Sequence, residues 1–136
     1  MSKKKAENKV KITALYCRLS VEDTKDLKDK RKKSQEDESN SISNQKQILL
    51  DYAKKNGYLH TEFFVDDGIS GTTFDRPDFQ RMQRMAENGE IATIIVKDLS
   101  RFGRNYLEVG QYLEITYPTL GIRFIAIQEN VDSSQS

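Results

Sequence analysis

The sequence predicts a three-layer α/β fold, with a mostly parallel sheet of four to five strands and helices on both faces. Four short apolar runs rich in β-branched residues recur along the chain, and three amphipathic segments of helical period separate them. Alternation of this kind needs crossovers, and crossovers build parallel sheets that are covered on both sides. The length of 136 residues suits a single domain with a modest core.

The first strand is expected at 10–16, VKITALY, which is apolar and β-branched. Residues 41–56 read as a helix. Ser41 can cap it, Ile48, Leu49, Tyr52 and Ala53 share a face, and Gly57 can end it. Residues 61–66, TEFFVD, form the second strand. A helix over 77–88 has Pro77 in its first turn, a buried stripe of Phe79, Met82 and Ala86, and Gly89 as its stop. Residues 91–97, IATIIVK, are the clearest buried strand. A third helix is expected over 105–117, with Tyr106, Val109, Gly110 and Leu113 on one side and Pro118 as terminator. Residues 122–127, IRFIAI, close the series.

Composition narrows the function. Lysine plus arginine number 22 and acids 21, giving a net charge of +1, so any nucleic-acid site must be local. The single cysteine, Cys17, excludes an internal disulfide and fits a reducing, cytoplasmic compartment. It reads as a small buried hydrophobe. The single histidine, His60, excludes a two-histidine metal site. No apolar run approaches the ~18 residues needed to span a membrane. Residues 1–9 read as a disordered basic tail. In 22–38, 13 of 17 residues are charged and Leu27 alone is apolar. Such a segment cannot bury enough surface to offset its ordering entropy, so a mobile insertion is expected.

In parallel sheets, sites form beyond the carboxyl ends of the strands. Strand one leads into Arg18 and Ser20. Strand two leads into Asp67, Ser70 and Arg76. Strand three ends at Lys97, before Arg101 and Arg104. A serine hydroxyl needs activation, yet His60 falls at the opposite edge and G-x-S-x-G is absent. Guanidinium forks bind phosphate oxygens and stay charged at any working pH. A serine among arginines therefore suggests attack on a phosphodiester. Salt-bridging arginines and a turn-capping serine fit the same residues. A non-catalytic interaction module on this scaffold is the alternative. A phosphate-accepting receiver domain fits less well, because strand one leads into arginine and serine instead of an acidic pair.

The motifs resemble a known family. Tyr16-Cys17-Arg18-Leu19-Ser20 is similar to the Y-x-R-x-S signature of the serine recombinases, the resolvase/invertase family. Ser41-Ile42-Ser43-Asn44-Gln45 resembles the opening of that family's first helix. Asp67-Gly68-Ile69-Ser70-Gly71, followed by Asp75-Arg76, resembles its second block. Val96 through Asn105 resembles the third, D-R-x-x-R, with Ser100 where short members carry aspartate. The blocks stand in family order over about residues 10–132, and their wording is most like the large serine recombinases of mobilisable and conjugative transposons.

The resemblance implies site-specific DNA recombination through a 5′-phosphoserine intermediate, without metal, ATP or other cofactor. Ser20 would be the nucleophile. Arg18, Arg101 and Arg104 would hold the scissile phosphate, and Arg76, Gln45 and Asp67 would complete the site. Tyr16, Ser70 and Lys97 would support it. The implied partners are double-stranded DNA at attachment sites and further copies of the chain, dimer to tetramer in a full-length protein. The fragment alone is expected to be a monomer or weak dimer, in a bacterial, nucleoid-associated setting. Residues 133–136 are expected to open a linker helix and a C-terminal DNA-binding region.

Overall fold

A computed structural model of the chain describes residues 10–19, 41–67 and 76–133. The expected tail 1–9 and insertion 22–38 lie outside these residues, as do Ser20, Ser70 and 134–136.

Strand β1 (Ile12–Leu19) is central and almost wholly buried. It pairs in parallel with β2 (Thr61–Asp67) on one side and β3 (Ile91–Val96) on the other. Strand β4 (Arg123–Ala126) lies parallel to β3, and β5 (Val131–Asp132) closes that edge antiparallel to β4. The order β2-β1-β3-β4-β5 realises the expected mostly parallel sheet.

Side-chain alternation along each strand splits the core in two. Leu15, Cys17, Ile95 and Ile125 face Leu49 and Ala53 of helix α1 (Ile42–Lys55). Ala14, Tyr16, Phe64, Ile94, Val96 and Phe124 face the other layer. That layer comprises α2 (Pro77–Glu87), α3 (Leu99–Phe102), α4 (Tyr106–Gln111) and α5 (Tyr117–Leu120). Phe102 is its hub, with ring centroids 5.2 Å from Phe79 and 5.0 Å from Phe124 in edge-to-face contact. Each such pair adds about 0.5–1.5 kcal/mol beyond burial.

The expected caps of α1 hold. The Ser41 hydroxyl accepts from the Asn44 N–H at 3.2 Å, and Gly57 takes φ 80° just beyond the helix. The third helix departs from expectation. It is α4, then a π-helical segment Tyr112–Thr116, then α5, which contains Pro118. Proline has no N–H and crowds the carbonyl four residues back, which should stop an α-helix. Here the Tyr117 N–H donates to the Tyr112 carbonyl, five residues back. The wider turn relieves the crowding. Pro118 then falls in the first turn of α5, where its missing N–H is harmless. Gly121, at φ 71°, ends the helix instead. Tyr106 does not join the buried side, being 86% exposed.

Candidate active site

The carboxyl ends of β1, β2 and β3 lie at one edge, and the site is built there from the backbone of Arg18 outward. Gln45 is fully buried in the second turn of α1. Its Oε1 accepts from the Arg18 N–H at 3.1 Å, and its Nε2 donates to the Arg18 carbonyl at 3.0 Å. One side-chain amide thus satisfies both main-chain polar groups of a buried residue. Arg101 Nη1 donates to the same carbonyl at 2.8 Å. In return, Arg18 Nε donates to the Arg101 carbonyl at 3.1 Å, and Arg18 Nη2 donates to the Ser100 carbonyl. Each arginine is therefore oriented by the other's main chain.

Both guanidiniums are buried, with Arg18 at 0% and Arg101 at 3% exposure. Burial, then the neighbouring charge of Arg101, pushes the Arg18 guanidinium down to about 10. It stays cationic at neutral pH.

Asp98 organises the turn that follows β3. Its carboxylate caps α3, accepting from the Arg101 N–H at 3.1 Å, and also accepts from the Ser100 hydroxyl. Arg101 Nε and Lys97 Nζ each lie 3.6 Å from it. Burial alone would raise this carboxyl. The Ser100 hydroxyl and the Arg101 charge outweigh burial and hold it below its ordinary range. Arg104 is exposed and lines an open groove with Leu99, Ser100, Leu107 and Leu113.

A second buried cluster sits against the first. Tyr16 Oη donates to Asp66 Oδ2 at 2.7 Å and accepts from Arg76 Nη1 at 3.2 Å. Arg76 Nη1 also donates to the Phe102 carbonyl at 2.6 Å, and its guanidinium lies 3.8 Å from the Phe79 ring centre. The structure therefore brings Arg18, Gln45, Arg101 and Lys97 together. It places Arg76 and Tyr16 in the adjoining cluster and leaves Asp67 exposed at the end of β2. His60 is exposed just before β2, as expected. Cys17 is buried, and burial pushes its thiol up to about 12.

A family model described as the resolvase N-terminal domain matches residues 13–136. This chain belongs to the resolvase family. Its solved neighbours include an integrase catalytic domain and a site-specific recombinase. The N-terminal catalytic domain of TP901-1 integrase superposes with a TM-score of 0.75 at 26% identity, covering 93% of this chain and 84% of that one. A resolvase family site-specific recombinase from Streptococcus pneumoniae gives 0.67 at 26% identity, covering 94% and 78%. Among curated proteins, the uncharacterized immunity region protein 3 of Bacillus phage phi105 is 32% identical over 83 residues, 61% of this chain and 88% of that protein.

Two carboxylates of this resolvase domain were missed as site residues. Asp66 and Asp98 are both buried and both bonded to site arginines or their neighbours. Strand parity points to Asp66, which falls on the inward face with Phe64, whereas Asp67 falls on the other. An N-cap pattern points to Asp98, with Arg101 three residues on. Among the described residues, no helix of the resolvase domain is long and apolar enough to cross a membrane.

Proposed function

We propose that this recombinase domain cleaves and rejoins DNA at the attachment sites of a mobile element, using Ser20 as nucleophile. The Ser20 hydroxyl would give up its proton as its oxygen attacks a backbone phosphorus and forms a bond to the 5′ phosphate. The bond to the 3′ oxygen would break, and that oxygen would leave as a hydroxyl after taking up a proton. The phosphoserine link keeps the bond energy for rejoining, so ATP is not required. Arg18, Arg101 and Arg104 would neutralise the charge that builds on the phosphoryl oxygens.

The observation that carries the reading is the reciprocal clamp between Arg18 and Arg101, placed two residues before Ser20 in the chain. It presents two fixed cations where the first strand ends. Gln45 would hold that end in register, and Asp67, which pairs with Leu19, and Lys97, which follows the Tyr16 partner Val96, would serve it from the neighbouring strands. Arg18 and Arg101 are both buried, so their forks are held in place by the main chain before any phosphate binds. Double-stranded DNA and further copies of the recombinase, from dimer to tetramer, are the partners proposed.

In the full natural chain carrying this sequence, Ser20→Ala should abolish the covalent protein–DNA adduct on a nicked trapping substrate. A persistent adduct would remove Ser20 from the role. The same assay should run undiminished in excess chelator without nucleotide, because guanidiniums supply the positive charge.

A further inference from the structure

We propose that Asp66 and Tyr16 are positioning residues, acting through Arg76 to hold the turn that carries Arg101. The inference rests on the reading that Arg101 serves the phosphate. Its basis is one continuous line of contacts. Asp66, on β2, receives the Tyr16 hydroxyl at 2.7 Å. Tyr16, on β1, receives Arg76 Nη1 at 3.2 Å. The same nitrogen donates to the carbonyl of Phe102, the residue after Arg101, at 2.6 Å. The line crosses from β2 through β1 to α3.

Three features fit positioning better than direct contact with substrate. First, among the described residues the bonds of the buried Tyr16, Arg76 and Asp66 run to one another and to main-chain groups. Secondly, Arg76 stacks on the Phe79 ring and lies 5.9 Å from the Tyr16 ring centre, so its plane is set by aromatic walls. Thirdly, Asp66 is itself fixed. Its Oδ1 accepts from the Asp78 N–H at 3.0 Å and its Oδ2 from the Phe79 N–H at 2.9 Å, at the start of α2. A carboxylate at a helix N-terminus is favoured by the exposed N–H groups and the helix dipole. Asp66 thus anchors the line at one end to a helix, and Phe102 anchors it at the other to the aromatic core. Tyr16 links the two by donating to the acid and accepting from the arginine.

The line also explains how a buried cation can matter to a reaction it does not touch. Arg76 and Arg101 hold opposite sides of one short turn. Arg76 takes the Phe102 carbonyl, while Arg101 reaches across to the Arg18 carbonyl. Releasing Arg76 frees the turn to shift, and the Arg101 fork moves with it.

The decisive variants are Tyr16→Phe, which keeps the ring and removes only the hydroxyl, Asp66→Asn, and Arg76→Gln. Two measurements are made. In the 136-residue chain, the side-chain Nε–H resonance of Arg101 is followed by NMR. In the full natural chain, the rate of adduct formation at saturating DNA is compared with DNA affinity. Tyr16→Phe should shift the Arg101 resonance and slow adduct formation roughly tenfold, with affinity within about twofold, because hydrogen bonds to charged groups are the strong ones. Tyr16→Phe should add nothing further on the Arg76→Gln background, as expected of residues acting as a unit.

An unmoved Arg101 resonance in Tyr16→Phe overturns the proposal, and so do losses that multiply in the double variant. If Asp66→Asn fails to fold, Tyr16→Phe still decides. Failure of the parent reading looks different: Arg101→Lys would then keep the full rate, which removes the relay's purpose even if the Arg101 resonance still responds to Tyr16.

Discussion

At the scale of single residues, the site depends on a few side chains that answer main-chain groups. Gln45→Ala removes both side-chain bonds to the Arg18 main chain. This should cost about 1–3 kcal/mol of unfolding free energy in a denaturant titration, the range for stripping a buried polar group of its partner. Arg101→Lys keeps the charge but loses the planar fork that spans to the Arg18 carbonyl. Adduct formation should fall by at least roughly tenfold, since lysine offers a point charge in place of a fork. Asp98 makes the pH dependence specific. Its carboxyl is held below the ordinary value of 3.8, so its ionised form stabilises the fold above that value, and the contribution is lost as pH falls through the depressed one. Asp98→Asn should therefore flatten the acid limb of the stability profile while lowering stability at neutral pH. A profile as steep as that of the unmodified chain would show that Asp98 does not set the acid response. At this scale the sequence was readable where type and spacing agree. Arg18, Gln45 and Arg101 were named from motif positions and stand together. Asp66 was passed over because it has an identical neighbour in Asp67, and only strand parity separates a buried aspartate from an exposed one.

At the scale of elements, periodicity was a reliable guide wherever a segment had room to show its period. Helices α1 and α2 and strand β3 lie close to the expected ranges. The shortfalls have physical causes. Strand β1 was expected to end at 16 because Arg18 interrupts the apolar run, yet it continues to Leu19 because Gln45 and Arg101 satisfy the buried polar groups there. Helix α3 and strand β5 span four and two residues, too short for any period to register. Pro118 looked like a terminator because sequence patterns assume α-helical hydrogen bonding, which the π segment abandons. Two glycines in this region should respond in opposite ways. Gly121 has φ 71°, where a side chain is strained, so Gly121→Ala should cost about 1 kcal/mol. Gly110 lies within α4, and a Cβ there would meet only Glu114 Oε2 at 3.8 Å, an ordinary contact. Gly110→Ala should stabilise by about 0.5–1 kcal/mol, as alanine outranks glycine in a helix interior. Thermal melts of the two variants, shifted in opposite directions, check both.

At the scale of the whole molecule, fold class was legible because four apolar runs in alternation with helices leave few topologies. The site edge followed from the same topology. The burial of Arg18 and Arg101 did not, because burial of a cation depends on long-range packing. Near-neutral charge has a direct consequence for binding. With a net charge of +1, these 136 residues should bind duplex DNA only weakly, with a dissociation constant above roughly 10⁻⁶ M at physiological salt, because non-specific affinity comes from basic surface. Nanomolar binding in a salt titration would contradict that. The buried tyrosines carry one more consequence. The chain has six tyrosines and no tryptophan, so its near-ultraviolet spectrum belongs to phenols. Burial pushes the hydroxyls of Tyr16 and Tyr117 far above their ordinary value of 10.0. Folded, these two stay protonated when alkali ionises an unfolded phenol, so their share of stability is present below that value and declines as pH rises past it. Phenolate absorbance from Tyr16 and Tyr117 then appears only as the chain opens, which gives the protein an intrinsic optical gauge of its own unfolding.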